Sequence, residues 1–261
     1  MSLQYNAILI TGASSGIGAA LALYYARAGV TLFISGRNQA RLKQVENDCR
    51  AAGANVFADI LDVTDRNMMT DYVGKCHGIM PLSLVIANAG ISAGSGDDSE
   101  SPDQVRQIMS TNIEGVLNTL DPAIAAMKQQ RRGQIAIMSS QASWRGLPSA
   151  PAYCASKAAI RIYGEALRGN LARDHIRVNV ICPGFVKSGI TDANNFRMPF
   201  LMEAPKAAKI IDRGLTRNKA VIAFPWQMNM ATCLLKHLPY WAFDRLAARL
   251  PKKTAQAYNQ P

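Results

Sequence analysis

Hydrophobic positions in this chain come in short, nearly unbroken runs. Ala7-Ile8-Leu9-Ile10 is the first, and apolar or β-branched runs recur at 30–35, 55–59, 83–87, 134–138, 177–182 and 220–224. Runs of this length without polar alternation are expected of strands buried on both faces. Between them the spacing lengthens to a helical period. Residues 16–28 place Ile17, Leu21 and Tyr24 on one face, and Asp65 is placed to cap a helix through Cys76. Pro102 sits in the first turn of a long helix toward Gln130, and 151–173 form another. Strands alternating with helices predict an α/β fold: a doubly wound parallel sheet of about seven strands, with right-handed crossovers and helices on both faces. Ligands of such sheets bind beyond the strand carboxyl ends.

The alternation runs from near residue 7 to near residue 225 without a break, so 1–261 is expected to be a single domain with 226–261 as a helical C-terminal extension. Two loops stand out. Ile91–Ser101 is rich in Gly, Ser and Asp. Gly184–Glu203 carries Phe185, Phe196, Met198, Phe200, Leu201 and Met202, and reads as a lid.

Five scattered cysteines, odd in number, suggest free thiols in a reducing, cytoplasmic compartment. The first strand begins almost at once, leaving no room for a signal peptide, and no uncharged run reaches the ~20 residues of a spanning helix. His77, His175 and His237 share no ligand spacing, so no metal is expected. The formal charge of +11 is dispersed rather than concentrated on one element, which argues against nucleic acid.

The candidate chemistry lies just past the strands. Thr11-Gly12-Ala13-Ser14-Ser15-Gly16-Ile17-Gly18 follows the first run and opens a helix. Gly12 permits a tight turn, Gly16 a close approach of backbone to phosphate, and Gly18 close packing of helix on sheet. The helix start then offers free N–H groups and partial positive charge to a pyrophosphate. After the second strand, Ser35-Gly36-Arg37-Asn38 lacks the acid that would bind a ribose 2′-hydroxyl. Arg37 stands there instead, suited to a 2′-phosphate, so NADP(H) is expected over NAD(H). Tyr153 and Lys157 share a helix face at i,i+4 spacing. A phenol titrates near 10, and a neighbouring ammonium is expected to lower that value toward proton exchange at neutral pH.

With the glycine turn, Asp62-Val63, Asn88-Ala89-Gly90, Asn112, Ser140, Tyr153, Lys157 and Pro183-Gly184 in this order, the chain resembles the short-chain dehydrogenase/reductase family over roughly residues 5–225. The resemblance implies a Rossmann-like fold and hydride transfer between a nicotinamide and a carbonyl or alcohol. It implies Ser140 as hydrogen-bond donor to the substrate oxygen, chosen over Ser139 for its spacing from Tyr153. Tyr153 would be the general acid/base and Lys157 its partner and a ligand of the ribose, while Asn112, inside the long helix, would distort the local ladder and hold a relay water near Lys157. It also implies that Ser14, Ser15 and Ile17 join the three glycines at the pyrophosphate. Asp62 would meet the adenine with Val63 beside it, and Asn88, Ala89 and Gly90 the adenosine side. Pro183, Gly184, Val186 and Ser188 would meet the nicotinamide carboxamide.

The ending departs from the family's bacterial reductases. Ala220–Pro225 runs into an apolar, basic tail with Trp226, Leu234, Trp241, Phe243 and Leu250, which fits an apolar substrate. Three uses compete for it: packing over the substrate mouth, a dimer interface, or peripheral membrane contact through 226–250. A homodimer is expected, with a tetramer as the alternative. Trp144, close to Ser140, adds to the apolar expectation. The competing functions are a non-catalytic NADP(H) sensor and a nucleotide-sugar epimerase or dehydratase. The first should lack Tyr, Lys or Ser, and the second needs a larger C-terminal domain.

Overall fold

The computed structural model describes residues 5–92, 100–192 and 198–248. Seven strands, β1 (Ala7–Ile10), β2 (Thr31–Gly36), β3 (Asn55–Ile60), β4 (Leu84–Ala87), β5 (Gly133–Met138), β6 (Ile176–Pro183) and β7 (Val221–Phe224), form one sheet ordered β3-β2-β1-β4-β5-β6-β7. Every neighbouring pair is parallel, so all carboxyl ends lie along one rim. The strand order reverses between β1 and β4, where Ile8 pairs with Leu32 on one side and Leu84 on the other. A crevice opens at such a switch point. The predicted runs differ from these strands by at most one residue at either end.

Alternate strand residues point to opposite faces. Ile8, Ile10, Leu32 and Ile34 pack with Leu21 and Tyr25 of α1 (Gly16–Tyr25) and Ile211 and Leu215 of α8 (Ala204–Thr216). Leu9, Phe33, Val85 and Ile137 pack on the other side. Their partners are Val73 of α3 (Arg66–Ile79), Leu120 of α5 (Gly115–Gln130) and Ile160 of α6 (Pro151–Leu171).

Three helices differ from expectation. α1 stops at Tyr25 because Ala26 is extended and Gly29 turns at φ +82°. Its inward stripe is Gly18-Leu21-Ala22-Tyr25, while Ile17 and Tyr24 flank the core. Tyr24 and Tyr25 both donate to Asp212 on α8, each over 3.0 Å. The long helix from Pro102 breaks into α4 (Pro102–Met109), a π-helical turn (Ser110–Glu114) and α5. α6 ends at Leu171, followed by a 3₁₀ turn.

Asn38 begins α2 (Gln39–Ala51) by accepting from the Arg41 N–H, and Asp65 begins α3 by accepting from the Met68 N–H. Past β6, the loop holds a short helix, α7 (Gly189–Asp192), and a bridge between Val186 and Met202. Val186 and Met202 sink into the core whereas Phe200 and Leu201 stay exposed, so the apolar residues of the expected lid divide between two roles. Phe196, Leu250 and positions 93–99 of the earlier loop lie outside the described residues. The extension forms α9 (Trp226–His237) and α10 (Tyr240–Ala247).

Candidate active site

A cleft of about 520 Å³ runs along the carboxyl rim from the end of β2, past β1 and β4, to the ends of β5 and β6. The glycine turn forms its floor. Gly12 and Gly16 both turn at positive φ, and a Cβ on Gly12 would press the Ala89 backbone at 2.7 Å. A Cβ on Gly16 would strike Ser188 at 2.8 Å. Gly18 lies behind the cleft wall, where a Cβ would collide with the Gly12 carbonyl oxygen. These are cradle positions that any side chain would fill, and Gly12, Ser14, Ser15, Gly16 and Ile17 border the space they leave. A diphosphate fits a wall of this kind, with α1 starting at Gly16 and no acid in its first turn.

Asn88 lines the cleft and also braces the glycine turn. Its Nδ2 donates to the carbonyls of Thr11 (2.9 Å) and Gly12 (3.0 Å), bracing the turn from β4. Thr11 Oγ1 returns the tie by accepting from the Asn88 and Ala89 N–H groups at 3.1 and 3.2 Å. Thr11 was not singled out by sequence, though a hydroxyl at the strand end beside Gly12 was the available signal.

At the β2 end Arg37 reaches the cleft, joined by Asn38 and Arg41. Arg41 was missed, although it stands four residues from Arg37 at a helix start. Arg37 also faces Asp62 Oδ2 at 3.7 Å, an exposed and therefore weak pair. The other oxygen of Asp62 accepts from the Thr64 N–H and hydroxyl, both at 2.9 Å. Val63, Ala89 and Gly90 line the same stretch, and Pro183, Gly184, Val186 and Ser188 close the far end.

Ser140, Tyr153 and Lys157 come together at that end. Ser140 hydrogen-bonds the Tyr153 hydroxyl and also accepts from the Ala142 N–H at 3.1 Å. Ser139, which also lines the cleft, donates to the Lys157 carbonyl at 2.8 Å. Lys157 Nζ donates to the Met138 carbonyl at 2.9 Å and lies 5.9 Å from the Tyr153 ring centre.

The Tyr153 pKa lies above its ordinary value here, opposite to the expected lowering. The Tyr153 ring is only half-buried, yet its hydroxyl end is enclosed, and that desolvation pushes its pKa up to about 12 against the opposing Ser140 hydrogen bond. Burial likewise pushes Lys157 down to about 8. Its ammonium spends itself on Met138 rather than on the phenol.

Asn112 sits behind the cleft in the π-helical turn, wholly buried. Its Oδ1 accepts from the Ile91 N–H (2.8 Å), and its Nδ2 donates to the Ile91 carbonyl (2.9 Å) and to Ser156 Oγ (3.0 Å). The side chain is thus occupied by structure, which leaves no amide donor for the expected water. Gly90 separates it from the cleft: a Cβ there would meet Asn112 Oδ1 at 3.0 Å and Lys157 Nζ at 3.1 Å. Trp144 does not line the cleft. Its ring is held between Arg161 at 4.2 Å and Lys236 at 5.2 Å.

The family model described as short chain dehydrogenase matches residues 6–198. The chain belongs to the short-chain dehydrogenase family. It is 39% identical over 249 residues to an uncharacterized oxidoreductase of Myxococcus xanthus, covering 95% of this chain and 98% of that one. It is 31% identical over 230 residues to an 11-beta-hydroxysteroid dehydrogenase-like protein of Arabidopsis thaliana, covering 84% and 76%. A short chain dehydrogenase/reductase from Burkholderia phymatum, solved in complex with NAD, shares the fold at a TM-score of 0.79 and 22% identity, covering 96% and 98%. This short-chain dehydrogenase is therefore an oxidoreductase by family.

Proposed function

We propose that this short-chain dehydrogenase moves a hydride between NADP(H) and the carbonyl or alcohol carbon of a mostly apolar small molecule, with Tyr153 as general acid/base. The observation that carries the reading is the Ser140–Tyr153 hydrogen bond at the end of the cleft that begins at the glycine turn.

The glycine turn with Ser14, Ser15 and Ile17 would hold the diphosphate on the α1 amino terminus. Arg37 and Arg41 would bracket a 2′-phosphate. Asp62 and Val63 would flank the adenine, Ala89 and Gly90 the adenosine, and Pro183, Gly184, Val186 and Ser188 the carboxamide end, with Asn88 bracing the turn. When bound, the dinucleotide supplies or accepts the hydride.

The chain's own residues handle the proton. A phenol at about 12 stays protonated at neutral pH, which suits it to donate to a carbonyl oxygen as charge develops there. Ser140 donates a second hydrogen bond to the same oxygen. Lys157, at about 8, keeps most of its charge at pH 7 and would reach the ribose hydroxyls beside the Tyr153 ring. The π-helical turn releases backbone groups from i,i+4 pairing, and these would hold the relay water that the Asn112 side chain does not. Ile91, Met138 and Val186 supply apolar lining, and the steroid dehydrogenase-like relative supports an apolar substrate.

A panel of ketones and aldehydes, followed by NADPH absorbance with wild type and Tyr153→Phe side by side, tests the assignment. Consumption by wild type alone is expected. Equal consumption by the variant would move the acid/base role elsewhere.

A further inference from the structure

The extension is built inside out. Not one residue of α9 is buried. Its inner stripe, Met228, Thr232 and Leu235, is half-buried, and Met228 Sδ lies where a Cβ on Gly184 would meet it at 2.6 Å. The outer stripe of Trp226, Met230, Cys233, Leu234 and His237 is exposed, at spacings that keep it on one helical face. α10 tucks Phe243 and Ala247 inward and turns Tyr240, Trp241 and Leu246 out. Trp226, Leu234, Tyr240 and Trp241 are 67%, 68%, 77% and 66% exposed. Solvated helices carry polar residues on such a face. A contiguous apolar surface of this size marks an interaction site.

The face is held in place. Arg145 lies 4.6 Å from the Tyr240 ring centre and 4.3 Å from that of Phe243, and its NH1 donates to the Lys236 and Leu238 carbonyls at 3.2 and 3.3 Å. Trp144, one residue earlier, is covered by Lys236. Two residues of the loop after Ser140 therefore grip both helices, and the rings point outward because the fold keeps them there.

Charge decides what covers them. Lys236, His237 and Arg245 stand among the exposed rings. On the described helices Lys236 and Arg245 stand against Asp244, and the sequence continues with Arg249, Lys252 and Lys253, which lie outside the described residues and bring the formal charge of 226–261 to +4. A second copy docking by two-fold symmetry would bring this patch against itself, cation to cation. An anionic bilayer offers the opposite: negative headgroups for the cations and an interfacial layer that favours Trp and Tyr.

We propose that the outer face of α9 and α10 is a docking surface for an anionic lipid bilayer, lying on it and not crossing it. No helix among the described residues is long and apolar enough to span a membrane. The inference stands independently of the reaction assigned to the cleft.

The experiment is flotation of the full chain with vesicles of phosphatidylcholine alone and of phosphatidylcholine mixed with phosphatidylglycerol, at low and high salt. Wild type and Trp226→Glu/Trp241→Glu are compared, and dinucleotide binding reports that the exposed double variant is folded. The expected result is flotation with the anionic vesicles, at least tenfold weaker with neutral ones, weakened by salt and lost in the variant. A blue shift of tryptophan emission should accompany it. No flotation with anionic vesicles overturns the proposal, as does equal flotation of the variant. An oligomer dispersed by the two substitutions, with no vesicle binding, overturns it in favour of a second copy of the chain.

Discussion

Asn112 donates to Ser156 across 3.0 Å, tying the π-helical turn to the helix that carries Tyr153 and Lys157. Ser156 was not singled out in the sequence, yet it lies between those two residues and passes the tie on by donating to the Tyr153 carbonyl at 2.8 Å. Asn112→Ala would leave both polar groups of buried Ile91 without partners, at ~1–3 kcal/mol each. Chemical denaturation should therefore register a loss of about 3 kcal/mol, with kcat falling further than the residual folded fraction explains. Ser156→Ala removes both the bond from Asn112 and the bond to the Tyr153 carbonyl and should cost about 2 kcal/mol.

Tyr153→Phe keeps the ring and removes the hydroxyl that meets Ser140. Turnover should drop by about three orders of magnitude or more, in keeping with the upper range of general acid catalysis. Dinucleotide binding, followed by calorimetry, should change little. A variant that loses binding in the same proportion would indicate a structural role for the phenol instead.

Arg37→Ala and Arg41→Ala probe the cofactor preference. Each removes one charged donor, worth ~1.5–3 kcal/mol toward a phosphate, so KM for NADP(H) should rise about 10–100-fold. KM for NAD(H) should stay within about twofold by the same reasoning, since no 2′-phosphate is present to lose. Parallel rises for both cofactors would separate these arginines from the 2′ position.

Lys157 sets a pH limit. Below its pKa of about 8 the side chain is an ammonium, and above it the charge is lost. In kcat/KM for NADPH, which reports the free enzyme, a plateau below pH 8 should give way to a one-proton decline above it. Lys157→Met should flatten the profile at the lower level. A wild-type profile flat through pH 10 would dissociate this amine from cofactor capture.

Gly18→Ala tests the close approach of helix to turn. The new methyl would collide with the Gly12 carbonyl and meet Asn88 Nδ2 at 2.6 Å, both parts of the brace. Overpacking of this kind costs ~1–3 kcal/mol, visible as a lowered Tm, and the displaced turn should weaken dinucleotide binding as well.

The sheet was legible because a strand covered on both faces leaves a plain mark: Thr31-Leu32-Phe33-Ile34 are all buried, in a run as short as a strand and bounded by turn residues. The cleft residues were legible because the chemistry of a phosphate cradle needs glycine where a Cβ would collide. What stayed hidden depends on partners far along the chain. The helical period passes through residues 110–114 unchanged, so only the ladder distortion expected at Asn112 pointed to the π-turn. Nothing near Trp144 announces Lys236, and the ring was read as substrate lining when it is gripped by cations instead. The tyrosine pKa was misjudged for the same reason: i,i+4 spacing reports proximity, while enclosure, which dominates here, is set by the surrounding strands.

All seven strands point their carboxyl ends to one rim, so the turns of the opposite rim lie away from the cleft. Arg131 and His175 stand there in left-handed conformations, at φ +50° and +59°, which cost side chains about 1–2 kcal/mol. Glycine at either place is a route to a hardier protein, and peptide tags or surface anchors attached at that rim would leave the chemistry at the other end unaltered.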